Sequence, residues 1–302
     1  MTTTLLTTYR GELAAVAAAF IWAVASVIYT GVGRQVSPLM LNLLKGLIAI
    51  ALLIVTLVFS GNLLPRVSPT SLNLLLLSGA IGIGFGDTAY FAALNCIGPR
   101  RTLVIESLAP PLAAVLALMF LGEQLPLSGW LGIVLTVFGV TWVVLERTSD
   151  AVTPEVQTTK GIGLSLFAAI AQASGAVMSR AALENTDIDP LWSTLVRLVA
   201  GVLVLLIWLG FQRTSPRSLT ALRSPKLLLI ITGTAFASTY LGIWLQQISL
   251  KYAPAGIAQA LSATSPLFVI PIAIAATGEK VSTRAIVGVL VALSGIWLLF
   301  SR

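Results

Sequence analysis

Two stretches of the sequence decide its architecture when one is laid on the other: Ser107–Gly139, SLAPPLAAVLALMFLGEQLPLSGWLGIVLTVFG, and Ala263–Gly295, ATSPLFVIPIAIAATGEKVSTRAIVGVLVALSG. Sliding the chain by 156 positions, the distance from Gly122 to Gly278, sets Pro110 on Pro266 and Gly122-Glu123 on Gly278-Glu279. The same slide sets Gly86 on Gly242, Gly132 on Gly288 and Gly139 on Gly295, without a gap. Earlier in each half the offset is slightly smaller, so that Gly11 meets Gly161, Pro38 meets Pro190 and Lys45 meets Arg197. Shared apolar composition does not bring glycine, proline, glutamate and a base into register together. The chain is an internal repeat.

Around these stretches the sequence is oily. Of 302 residues, 57% are hydrophobic and 10% charged, against roughly 25% charged in an average soluble domain. So few polar side chains cannot cover a water-facing surface, and lipid is the solvent that fits. Crossing the hydrocarbon takes about 20 apolar residues, which places spans at 12–32, 38–60, 71–95, 101–121, 128–146, 161–182, 190–211, 225–250, 254–277 and 283–300. Between them stand turn or helix-start pairs: Ser37-Pro38, Gly61-Asn62, Gly98-Pro99, Asp189-Pro190, Ser224-Pro225 and Ala253-Pro254,. The runs are continuously apolar rather than alternating, which argues against a β-barrel. The Thr-rich start, Met1 to Tyr9, lacks the basic region of a secretory signal, so the first run is expected to be a retained helix,. The net charge of +7 comes from bases in short connections, as at a membrane surface; no basic stripe with interleaved aromatics suggests nucleic acid,.

Five helices per unit is an odd number, so the second copy must enter the bilayer from the opposite side. The expected fold is an all-α membrane protein with ten transmembrane helices in two inverted five-helix repeats, residues 11–146 and 161–301,. Two similar units of opposite orientation can exchange conformations, turning a shared central site from one side to the other. The Pro110-Pro111, Phe120-Leu121-Gly122-Glu123, Trp130-Leu131-Gly132 and Gly139 pattern, repeated as Ser265-Pro266, Gly278-Glu279, Gly288 and Gly295, resembles the EamA-like group of the drug/metabolite transporter superfamily. The resemblance covers nearly the whole chain. It implies two five-helix repeats, a small-molecule substrate and no cofactor, and it matches Lys45 and Arg197 to a basic position in the second helix of each unit. The family more often carries Arg where this chain has Lys45.

Ionisable groups inside spans cost about 2.5 to 3.5 kcal/mol each at the helix centre, and four stand there: Lys45, Asp87, Glu106 and Arg197. They balance formally. Either they pair and fix helix packing, or they line a watery path and meet polar substrate or protons. Asp87 and Glu106 face Ile243 and Ser262 at the equivalent positions of the second half, an asymmetry that a symmetric scaffold does not need. One of them is expected to neutralise a substrate amine or to titrate during transport.

Polar and aromatic residues recur at helical spacing: Trp22 with Ser26 and Tyr29; Asp87 with Tyr90; Gln172 with Ser179; Tyr240, Trp244 and Gln247; Gln259, Ser262 and Pro266. Together with the four charges they outline a substrate cavity formed by Trp22, Lys45, Asp87, Tyr90, Glu106, Gln172, Arg197, Tyr240, Trp244, Gln247, Gln259 and Ser262. Pro110 and Pro266, with Pro111 and Pro271, are expected to kink the fourth and ninth spans around it. Gly79, Gly82, Gly84 and Gly86 suit close helix packing, or a hinge beside Asp87. Glu123 and Glu279 follow a glycine at span ends and read as structural, near a helix N-terminus.

The functional expectation is a secondary transporter, acting as an exporter of small metabolites such as amino acids or aromatic and amphipathic compounds, in the plasma (inner) membrane. Its partners are the lipid bilayer and a small-molecule substrate, with protons a candidate coupling ion. A non-transporting scaffold or sensor is the alternative. Without histidine and with the single Cys96, no metal site or catalytic nucleophile is indicated, so no enzyme is expected,. Five bases on the terminus side (Arg10, Arg66, Arg180, Lys251, Arg302) against eleven opposite place both termini outside the cytoplasm by the positive-inside rule,.

Overall fold

The computed structural model describes residues 7–32, 36–61, 65, 67–146, 155–211, 224–268 and 283–301. The side chains at 26–27, 29–32, 38, 98–101, 146, 155–157 and 285 fall outside that description, as do Pro271, Gly278, Glu279 and the two longest connections. Ser26 and Tyr29, grouped with Trp22 above, are among these side chains. Every described element is helical: α1 (Arg10–Val32), α2 (Pro38–Ser60), α3 (Pro69–Ser78), α4 (Asp87–Glu106), α5 (Ala109–Leu121), α6 (Leu127–Glu146), α7 (Glu155–Leu183), α8 (Pro190–Phe211), α9 (Pro225–Ala235), α10 (Gly242–Tyr252), α11 (Ala255–Ser262) and α12 (Thr283–Phe300). Among the described residues, seven helices are long and apolar enough to cross a membrane, and the shorter apolar helix Ile286–Phe300 joins them. Phe59 and Phe211 are 88% and 87% exposed, amid a belt that includes Met119, Phe120, Leu229 and Trp297. Such an apolar perimeter is stable against lipid and not against water.

The helix starts follow from the sequence. Ser37, Ser68 and Ser224 each cap a helix with the hydroxyl oxygen, accepting from Met40, Ser71 and Leu227 N–H, and a proline fills the next position,. Asp189 does the same for α8, accepting from Leu191 N–H at 2.8 Å.

Two features repeat at equivalent positions and were not read from the sequence. π-Helical segments, Gly79–Gly86 and Phe236–Leu241, join α3 to α4 and α9 to α10. Each ends at or beside one of the matched glycines, Gly86 and Gly242. A π turn holds one extra residue per turn and is found disproportionately at functional sites. The glycines of the first segment permit close packing: a methyl at Gly79 would collide with the Arg197 backbone, and one at Gly84 with Val204. The second repeated feature corrects the proline expectation. The chain leaves the helix at Ser107-Leu108 and at Ala263-Thr264, and Pro110 and Pro266 lie in the first turn of the helix that resumes. Proline here restarts a broken helix, where its missing N–H costs nothing, instead of bending a continuous one.

At Gly98-Pro99 one span ends, at Ile97, and the next begins, at Thr102, although helical hydrogen bonding is continuous from Asp87 to Glu106. Tyr90 and Asp87 nevertheless lie within electrostatic reach of Glu106. A straight helix would hold Asp87 about 28 Å from Glu106 at 1.5 Å per residue. The chain therefore doubles back between them, and Gly98 and Pro99 are the glycine and proline of that stretch.

Packing between the halves is reciprocal. Gly132 faces Gly295 and Leu299 while Gly139 faces Gly288 and Ala292, so α6 and α12 cross antiparallel through matched glycines. At one end of the molecule the start of α1 meets the ends of α10 and α12: Tyr9 packs on Phe300 with centroids 5.6 Å apart, and the Arg10 guanidinium sits 4.5 Å over the Tyr252 ring. The last turn of α7 reaches this same end, where Arg180 bonds Leu250 and Lys251 carbonyls. Thus α1 begins where its counterpart α7 finishes.

Candidate functional site

Asp87 lies at the centre of the charged residues. It is the first residue after a π segment and projects between both halves, where its Oδ1 accepts from Gln172 Nε2 at 3.0 Å. Lys45 on α2 and Arg197 on α8 are its electrostatic neighbours. The Lys45 ammonium lies 5.5 Å from the Phe91 ring centroid, a cation–π distance,. Gln172 in turn accepts through its backbone carbonyl from Gln259 Nε2 at 3.3 Å, tying α7 to α11. The structure therefore gathers Lys45, Asp87, Tyr90, Glu106, Gln172, Arg197 and Gln259, contributed by five helices, around one point.

This gathering is incompletely bonded. Arg197 is 2% exposed, and its Nε and Nη1 have no hydrogen-bond partner among the described residues. Among the described residues Glu106 Oε1 is also buried without one, as is the hydroxyl of Ser262, which occupies the Glu106 position of the second half. Buried polar groups are almost always satisfied, and each exception needs a reason.

Other predicted residues form three flanking contacts. Trp22 donates its indole N–H to the Ser238 carbonyl at 2.8 Å, and Gly242 makes room for the ring. Gln172 stands at the Trp22 position of the second half, in register with Gly11 and Gly161, so one repeat position bonds the neighbouring half twice by different chemistry. Tyr240 hydrogen-bonds Thr56 through its hydroxyl at 3.0 Å, stacks on Phe236 and tilts against Trp244. Gln247, fully buried, accepts from Ser193 Oγ at 3.3 Å.

Two cavities are lined by other residues. A cavity of about 260 Å³ is lined by Ser37, Asn42, Thr88, Asn95, Phe91 and Trp208, among others, with Phe91 between it and Lys45. A second, of about 330 Å³, is an apolar groove between α1 and α9. Neither is lined by a residue of the expected substrate cavity.

At the terminus end the structure holds a network that the sequence reading missed. Gly122 adopts φ +67°, the left-handed conformation open to glycine, and so ends α5 and releases Glu123 sideways,. Glu123 Oε1 pairs with Arg180 Nε at 2.5 Å, and its Oε2 accepts the Ala255 N–H at 3.0 Å at the start of α11. Arg180 Nη2 pairs with Glu184 at 2.6 Å and Nη1 donates to the Leu250 and Lys251 carbonyls. Lys251 donates to the Ile188 carbonyl at 2.7 Å. Glu123 was expected near a helix N-terminus and is, but that helix belongs to the other half. The signal available in the sequence was the doubled Gly-Glu pair.

The model of the EamA-like transporter family matches residues 9–145 and again 159–301. The chain belongs to the EamA-like transporter family. A family built on this duplicated unit accounts for the repeat, for the apolar perimeter of a multi-pass membrane protein and for a small-molecule substrate. Among solved structures, one crystal structure of a protein aligns over 96% of this chain and 96% of that chain, with a TM-score of 0.78 and 16% identity, which shows a shared fold. No curated protein matches the sequence.

Proposed function

We propose that this EamA-like protein is a secondary transporter that exports small metabolites, such as amino acids or amphipathic and aromatic compounds, by alternating access. In this reading ten spans form inverted repeats over residues 11–146 and 161–301, and Lys45, Asp87, Tyr90, Glu106, Gln172, Arg197 and Gln259 line the transport site. Trp22, Tyr240, Trp244, Gln247 and Ser262 form its walls, while the breaks before Pro110 and Pro266 allow the helix halves to move. The observation that carries the proposal is the half-bonded charged cluster between two reciprocal halves: a static scaffold gains nothing from burying charges without partners. The Glu123–Arg180 network supports a conformation closed at the terminus end. Asp87 and Glu106 are the acids through which protons would couple, the plasma membrane is the proposed location, and the count of bases favours termini outside the cytoplasm.

The test is reconstitution into liposomes with a broad metabolite panel, with and without a pH gradient. Saturable flux that is reduced in Asp87→Asn and Glu106→Gln is expected. Absence of flux for every solute would return the protein to a scaffold or sensor role. A C-terminal reporter fusion fixes the orientation.

A further inference from the structure

We propose that the cavity of about 260 Å³ is a lipid site, which takes the glycerol-ester region of one diacyl phospholipid from the surrounding bilayer, with Asn42 Nδ2 donating to an ester carbonyl. The site is distinct from the charged cluster, and the inference does not depend on which solute the protein carries.

Position comes first. The cavity lies where three spans end on one side of the membrane. Ser37 caps α2, whose span begins at Leu39; Asn95 stands two residues before Ile97 and Trp208 three before Phe211, each the last residue of its span. This is the level of head groups and ester carbonyls, where tryptophan is enriched. Asn95 and Trp208 are exposed at the perimeter, so the cavity borders lipid, and Thr88 and Phe91 carry it inward along α4. Thr88 and Phe91 each stand one position after a residue of the charged cluster, Asp87 and Tyr90. One position turns about 100° round a helix, so the cavity and the cluster use different faces of α4.

Chemistry then selects the occupant. Asn42 is 5% exposed, and its Nδ2 has no hydrogen-bond partner among the described residues. The vacancy is a donor's and calls for an acceptor. The last torsion of asparagine is soft, so the amide can turn toward the cavity that it lines,. No ionisable side chain lines the cavity, which suits a neutral ester carbonyl better than a phosphate or a carboxylate,. Size points the same way. Pockets that enclose a whole ligand run from about 300 Å³ upward, so this one holds part of a longer molecule. The remainder would lie along the exposed rings of Phe85 and Trp208, whose centroids are 6.3 Å apart.

The experiment compares a diacyl phosphatidylethanolamine with its dialkyl ether analogue, of the same head group and chain length, added to delipidated full-length protein in detergent. Both lipids coat the apolar perimeter alike, and only the first carries ester carbonyls. Binding is read as the lipid concentration that gives half of the maximal rise in Tm, and as lipid retained per protein in native mass spectrometry. The diester should act at about fivefold lower concentration than the diether. Asn42→Leu, close in volume, should erase that difference and leave the response to the diether unchanged. Ala92→Leu, which fills the cavity from α4, should weaken the response to the diester to the level of the diether. If Asn42→Leu fails to fold, Ala92→Leu and the two-lipid comparison still decide. An equal response of the unaltered protein to both lipids, or a difference that survives both substitutions, would overturn the inference. So would displacement of the diester by a water-soluble solute of the transport panel, which would assign the cavity to that solute.

Discussion

Two buried arginines, seventeen positions apart in the sequence, are opposite in circumstance. Arg180 is 7% exposed, and every one of its nitrogens is engaged, by Glu123, Glu184 and the carbonyls that close α10. Arg197 is 2% exposed, and two of its nitrogens touch no acceptor among the described residues. Burial alone does not separate the two; completeness of bonding does. A fully bonded ion cluster is structural because its desolvation is already compensated, whereas a half-bonded one keeps capacity for a visitor.

The largest way to break this comparison is Arg180→Ala. It strands Glu123 and Glu184 and removes donors from two backbone carbonyls, so it should lower stability by about 3–5 kcal/mol, read as Tm or denaturant midpoint in detergent. An unchanged midpoint would mean that the network contributes nothing to the stability of the fold. Next is Glu123→Gln, which keeps shape and the Ala255 contact but discards the charge. The expected loss is about 1–3 kcal/mol, accompanied by faster labelling of a cysteine placed at the terminus end, as the alternating-access proposal requires of contacts that hold that end together.

The difference between the arginines also marks how far the sequence could be read. Charges in apolar runs are scarce, so Lys45, Asp87, Glu106 and Arg197 stood out, and the structure gathers them. Glycine and proline punctuate lipid-soluble helices at fixed places, so the repeat was legible from Gly122, Pro110 and their partners. The latch was not, because Glu123, Arg180 and Ala255 are brought together by tertiary packing across the two halves; the sequence shows only which helix follows Glu123, and that is the wrong one. The π segments escaped for another reason: Gly79 to Gly86 satisfies a close-packed α-helix equally well, and the approach of the Arg197 backbone to Gly79 is a tertiary contact that sequence spacing does not show. Asn42, Thr88 and Asn95, which line the 260 Å³ cavity, carry no charge and sit singly on span faces, a pattern shared by many residues that line nothing.

Trp22→Phe probes a smaller term. It deletes the indole donor to Ser238 and keeps the ring over Gly242, so it should cost about 1 kcal/mol and leave transport selectivity unchanged,. Its repeat counterpart, Gln172→Leu, removes the bond that aims Asp87 and should instead change selectivity more than stability. An equal effect of both on selectivity would show that the repeat position, and not Asp87, is what matters.

The smallest expected change in stability sharpens the comparison most. Arg197→Gln removes a charge whose burial is only partly compensated, so its loss is offset by the desolvation it no longer imposes. Asp87 loses an electrostatic neighbour but retains Gln172 and Lys45. The folded state should move by no more than about 1 kcal/mol, while flux falls to the level of empty liposomes. A large drop in Tm would place Arg197 with Arg180 among the residues that hold the fold. A silent substitution in both assays would leave the buried guanidinium without a purpose, which is the outcome that the cost of putting it in lipid argues against.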